Sequence, residues 1–127
     1  MKIAQDKKIS TFQDLNVWQE SRRLLFIIYN LTLKFPKEEV FSSVSQMRRA
    51  AMSVSSNIAE GFSRSSKLDK LHLCVMARGS LTELQNQVIL TTDVSLITQA
   101  DKKTALEQSE ITHKLLTGLI KSTEKRQ

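Results

Sequence analysis

Cysteine and proline occur once each in this sequence, and glycine three times. The lone Cys74 excludes an internal disulfide and any Cys-x-x-Cys zinc pair, so a buried reduced thiol is the expectation. So few breakers favour long helices over many short strands. The longest apolar run extends only from Leu24 to Tyr29, too short for a membrane span, and the opening MKIAQDKKIST has no signal-peptide core. A soluble cytoplasmic protein is therefore expected. A Gly-rich phosphate loop is missing, and no Ser-His-Asp set has a workable spacing. These absences speak against an enzyme and against a bound cofactor.

What remains is helix-forming and basic. The 127 residues are 40% hydrophobic and 25% charged, and 19 basic residues against 13 acidic ones give a net charge of +6. That length suits one domain with a sizeable core, and that charge suits a polyanion or an acidic protein surface. Residues 1–11 read as a flexible basic arm and 12–124 as the folded unit, leaving 125–127 as a fraying tail. Within the folded unit, apolar periodicity predicts helices over about 14–34, 42–62, 67–92 and 99–123. Helix 1 uses Leu15, Val17, Trp18, Leu24, Leu25, Ile28, Leu31 and Phe35, with Thr11 or Asp14 as caps, and Phe35-Pro36 ends it. Helix 2 closes at Gly61, and Ser66 with Asp69 makes a weak capping box for helix 3. Helix 3 buries Leu71, Val75, Leu81, Leu84 and Val88. Helix 4 carries Ala105, Leu106, Leu115, Leu116, Leu119 and Ile120. Four such helices on short connections pack most simply as an all-α, antiparallel up-down-up-down four-helix bundle.

Residues 46–61, QMRRAAMSVSSNIAEG, carry two stripes. Val44, Met47, Ala51, Val54 and Ile58 form the core stripe. Gln46, Arg49, Ser53, Asn57 and Glu60 form a polar one about two residues out of phase. A wet helix face is the plain explanation, and burial against another helix or subunit, with every polar group partnered, is the sharper one. If helices 2 and 3 form a hairpin centred near Arg64, Arg49 lies level with Gly79 and Ser80 and within a turn of Glu83. The seam would then comprise Gln46, Arg49, Ser53, Asn57, Glu60, Gly79, Ser80 and Glu83. Arg49 would pair with Glu83, and Gly79 would leave room for a close backbone approach.

Asp69-x-x-His72 and Glu110-x-x-His113 have the spacing that di-metal bundles use. A helix 3–4 hairpin separates the two histidines by roughly 10 Å along the axis, so no metal site is expected. His72 is then an exposed or subunit-facing residue, and His113 a core-edge one. For nucleic acid, the candidates are Arg48, Arg49, Arg64, Lys67, Lys70 and Arg78 around the helix 2–3 hairpin. Lys2, Lys7, Lys8, Lys125 and Arg126 would be mobile additions. Trp18, Phe26 and Tyr29 lie on helix 1 away from that cluster, so backbone binding to structured RNA is favoured over base stacking.

The motifs FQDLxVWQ (Phe12 to Gln19), Phe35-Pro36, SQMRRAAxSVxxNIAEG (Ser45 to Gly61) and ARGSLxEL (Ala77 to Leu84) occur in this order over nearly the whole chain. In them the sequence resembles the four-helix-bundle proteins first noticed as reading frames in intervening sequences of bacterial 23S ribosomal RNA. One departure is Ser55-Ser56, where relatives often place a proline. The resemblance implies a bundle that assembles as a ring-like homopentamer with no known cofactor or catalysis. The accessory variability proteins of diversity-generating retroelements are similar: basic pentamers that engage a reverse transcriptase and RNA. The expectation is a non-enzymatic oligomeric bundle that binds RNA or a ribonucleoprotein through a basic surface. The alternative is an oligomeric scaffold for a protein partner without nucleic acid.

Overall fold

The computed structural model describes residues 8–126, and the first seven residues of the expected basic arm lie outside them, with Lys2 and Lys7. Four long α-helices dominate: α1 Asn16–Thr32, α2 Ser45–Ser63, α3 Lys67–Asp93 and α4 Gln99–Glu124. The described residues contain no strand. The four pack in a ring, α1 against α2, α2 most extensively against α3, α3 against α4, and α4 back against α1.

Local chemistry sets the ends. Helix α1 starts at Asn16 rather than Asp14 because Leu15 is extended, with φ −75° and ψ 130°. Thr11 and Asp14 instead make a capping box around a short 3-10 turn, Phe12–Asp14. A π-helical turn, Val40–Val44, leads into α2, with the Ser42 and Ser43 hydroxyls donating to Glu39. Ser66 caps α3, accepting from the Asp69 amide at 3.0 Å, and Thr98 caps α4, accepting from the Asp101 amide at 3.1 Å. Between α3 and α4, Ser95 adopts φ 70° and the Leu96 amide donates back to the Thr91 carbonyl at 2.8 Å, a Schellman ending.

The core stripe of α2 is buried throughout: Val44, Met47, Ala51, Val54 and Ile58 are each 6% exposed or less. It meets Leu24, Ile28 and Leu31 of α1, Ala77, Leu81, Leu84 and Val88 of α3, and Leu116 and Ile120 of α4 in one cluster. Each fully buried Leu or Ile contributes roughly 1.5–3 kcal/mol. Two expected core residues face outward instead, Val75 at 47% and Leu115 at 36% exposure. Hydroxyls take up part of the inner surface. Ser21, Ser109, Thr112 and Thr123 are almost completely buried. Ser21, Ser109 and Thr112 each donate to a carbonyl one turn back on their own helix.

Gly61 departs from expectation. It lies inside α2, buried, where an added Cβ would sit 3.4 Å from Leu73 Cβ and 3.6 Å from the Lys70 carbonyl oxygen. The close approach of α2 and α3 therefore occurs here. Around Gly79 an added Cβ would meet nothing within 4 Å. Within this chain, then, the close approach lies at Gly61 and not at Gly79.

Candidate nucleic-acid interface and polar seam

The polar stripe of α2 is partnered mostly within its own helix. The Arg49 guanidinium donates to Gln46 Oε1 at 2.8 Å, Asn57 Nδ2 donates to the Ser53 carbonyl at 2.9 Å, and Arg64 Nη2 donates to Glu60 Oε2 at 2.9 Å. One hydrogen bond of the seam crosses to α3, between the hydroxyls of Ser53 and Ser80 at 2.9 Å. The expected Arg49–Glu83 ion pair is not made. Glu83 instead accepts from Gln87 Nε2 at 3.3 Å. Gln46, Arg49, Glu60, Gly79 and Glu83 are all exposed on this chain, while Ser53, Asn57 and Ser80 are half-buried. Two exposed long side chains gain little from pairing in water, so each settles for a neighbour one turn away on its own helix.

The six cationic candidates do not form one patch. Arg48 faces α1: its Nε donates to Thr32 Oγ1 at 3.0 Å, its Nη2 to the Tyr29 carbonyl at 3.5 Å, and its guanidinium lies 4.3 Å from the Tyr29 ring centroid. It ties the end of α1 to the start of α2. At 1.5 Å per residue it stands about 24 Å along the helix from Arg64. Arg49 shares its end of α2, and Arg78 sits, half-buried, in the middle of α3.

Arg64, Lys67 and Lys70 all lie at the α2–α3 connection. Lys67 Nζ donates to the Arg126 carbonyl at 2.9 Å, so the end of α4 joins this group. Lys70 Nζ donates to the carbonyls of Phe62 at 3.1 Å and Gly61 at 3.4 Å, and it lies over the Phe62 ring. A lysine on the last carbonyls of a helix satisfies acceptors that the helix itself leaves open. Beneath this end lies an apolar cavity of about 220 Å³ lined by Leu15, Ile58, Phe62, Leu119, Lys70 and Cys74. Burial pushes the Cys74 thiol above its ordinary value, and the Lys70 ammonium opposes that only in part.

Outside this end, α1 gathers the aromatics. Trp18, Arg22, Phe26 and Tyr29 share one side of the helix. The Arg22 guanidinium lies 5.8 Å from the Trp18 centroid and 5.4 Å from that of Phe26. Phe12 meets Trp18 edge-on at 5.4 Å. The i, i+4, i+8 spacing of Trp18, Arg22 and Phe26 is visible in the sequence, although Arg22 lies away from both the hairpin and the terminal cations. His72 is exposed and His113 half-buried, and no three potential metal ligands gather among the described residues. No helix among those residues is long and apolar enough to cross a membrane.

The family model for the 23S rRNA-intervening sequence protein matches residues 13–118, and the chain belongs to that family. A solved structure from Bacteroides thetaiotaomicron VPI-5482, a protein of unknown function from the S23 ribosomal protein family, is similar in fold. It has a TM-score of 0.76 and 23% identity over 83% of this chain and 95% of that one. None of the curated proteins matches.

Proposed function

We propose that this member of the 23S rRNA-intervening sequence family is a non-enzymatic, oligomeric bundle that binds RNA or a ribonucleoprotein through its basic surface. The observation that carries the reading is the position of Arg64, Lys67 and Lys70 at the α2–α3 connection, beside the end of α4, on a chain of net charge +6. Lysine and arginine on phosphates release condensed counterions, so the affinity is sequence-tolerant and falls steeply with salt. One such cluster binds weakly. A ring of subunits, the homopentamer that the family resemblance implies, multiplies it by presenting several clusters to one RNA.

An antiparallel up-down-up-down order is the topology that the cross-helix contacts support: Arg48 with Tyr29, Ser53 with Ser80, Gln85 with Ser109 at 3.0 Å and Lys34 with Asp101 at 3.1 Å. Such an arrangement leaves the outer sides of α2 and α3 free for subunit contacts.

Binding of a structured RNA, measured by filter retention or polarisation at low and moderate salt, tests the reading. Affinity is expected to drop steeply with salt, and Arg64→Glu with Lys67→Glu is expected to abolish most of it. No binding at low salt, or binding unchanged by the double reversal, overturns the reading. A second reading, a scaffold for a protein partner, is favoured by the exposed Leu68, Val75, Met76 and Leu90 on α3 and Val94 just after it. A partner that stays bound after nuclease treatment supports the scaffold instead.

A further inference from the structure

We infer that the outer side of α1, together with Arg48, is a stacking platform for the unpaired bases of single-stranded RNA, separate from the phosphate-binding cluster at the α2–α3 connection. The inference rests on the RNA-binding reading above and specifies the form of RNA that this second surface takes.

Rings and guanidinium planes alternate along this side. Phe12 abuts Trp18, Arg22 bridges Trp18 and Phe26, and Tyr29 follows one turn later under Arg48. Phe26 is 52% exposed and Tyr29 37%, although a bundle with space for large side chains in its core would normally bury them. Their solvent-facing surface is available to a flat ligand. The guanidiniums are held in place, Arg22 by two rings and Arg48 by Thr32 Oγ1 and the Tyr29 carbonyl. Each presents a guanidinium plane beside a ring, and Arg48, tied by its hydrogen bonds, does so at little further cost in side-chain entropy.

Carboxylates are few on this side. Helix α1 has a single acidic residue, Glu20, which accepts from Gln108 Nε2 at 2.8 Å and lies 3.7 Å from Arg23, on a different side of the helix. Helix α2 has no carboxylate before Glu60. Four exposed or half-exposed rings and two guanidiniums, with Asp14 as the one carboxylate in the turn that carries Phe12, match a strand whose bases are free to stack and whose phosphates seek cations. A duplex keeps its bases inside and presents only its backbone, so it cannot use the rings. The two surfaces thus divide by RNA form: duplex or structured RNA at the Arg64–Lys67 end, unpaired bases on α1.

Trp18 is the only tryptophan in the chain, and its fluorescence reports directly on this side. The full-length protein is titrated with a ten-residue oligo(A), an RNA duplex of equal charge and inorganic polyphosphate. Oligo(A) is expected to quench Trp18, whereas duplex and polyphosphate bind without quenching. Phe26→Ala, at an exposed position, is expected to weaken oligo(A) binding roughly 5- to 150-fold, the range for losing one base stack. Arg22→Lys keeps the charge, loses the plane, and is expected to weaken oligo(A) while leaving duplex binding unchanged. Arg64→Glu with Lys67→Glu should do the reverse. Equal quenching by polyphosphate, or oligo(A) affinity unchanged in both α1 variants, overturns the inference. Duplex binding without oligo(A) binding sinks the platform alone, and failure of every RNA to bind sinks both readings.

Discussion

The two sides of α3 are both apolar, yet only one has a partner in the chain. Its inner side, Leu73, Cys74, Ala77, Leu81, Leu84 and Val88, is at most 8% exposed, while Leu68 at 77%, Leu90 at 53% and, just after the helix, Val94 at 67% stand on the outer side. Apolar side chains exposed together on one side of a helix mark a contact surface. The two glycines at this interface divide the same way. Gly61 of α2 sits against Leu73 on the inner side, and Gly79 on the outer side meets nothing of its own chain. Intrachain packing thus explains one half of the helix, and a second copy of the subunit would explain the other half.

The sharpest way to separate the sides is by truncation. Leu81 is completely buried, and Leu81→Ala is expected to lower unfolding free energy by about 2–5 kcal/mol through lost transfer and cavity terms. Leu90→Ser, nine residues on and outward, is expected to stay within roughly 0.5 kcal/mol for the isolated subunit. Urea unfolding at a concentration where the subunit is monomeric measures both. If sedimentation shows that Leu90→Ser dissociates an oligomer that Leu81→Ala leaves assembled, the outer side is an interface.

A smaller effect follows at the glycines. Gly79→Ala places a methyl in open space within a helix interior, so the isolated subunit should gain roughly 1 kcal/mol. If a neighbouring subunit approaches closely there, the same change weakens association, and opposite signs in unfolding and sedimentation would be diagnostic. Gly61→Ala gains the same propensity and places its methyl in van der Waals contact, 3.4 Å from Leu73 Cβ and 3.6 Å from the Lys70 carbonyl oxygen, so its net gain should be larger. Equal gains at both positions would remove the distinction between the two sides.

Much of this was legible in the sequence. The α2 core stripe, the Ser66 cap and the four helical segments follow from apolar period and cap chemistry, because those signals act within a turn or two of chain. What periodicity hid was of two kinds. Buried hydroxyls such as Ser109 and Thr112 look polar in a sequence and are neutralised by their own helix, so the inner side of α4 was read as narrower than it is. Val75 was placed in the core because a helix with two apolar sides gives no phase to choose between them. At the candidate site, the grouping of Arg64, Lys67 and Lys70 follows from their closeness along the chain. The attachment of Arg48 to Tyr29 and Thr32, and the choice of Gln46 over Glu83 by Arg49, depend on side-chain geometry across helices, which a linear pattern does not contain.

The smallest expected effect uses the thiol as a probe of side. Cys74 is 4% exposed on the inner face, and burial raises its ionisation above the ordinary value of about 8.5. The unfolded chain then releases this proton at lower pH than the folded one. Stability from the protonated thiol is therefore complete below the unfolded value and declines as pH rises past it. Unfolding free energy measured from pH 7.5 upward should accordingly fall more steeply for the natural chain than for Cys74→Ala, whose remaining slope comes from other groups. Iodoacetamide at pH 8 should modify Cys74 slowly. Adding Met76→Cys to Cys74→Ala moves the thiol two residues along the same helix, to a position 46% exposed, where alkylation should be fast in the monomer. Protection of that outer thiol at oligomer-forming concentrations would show the exposed side of α3 being covered by a second subunit. Equal fast reaction at all concentrations would leave it facing water.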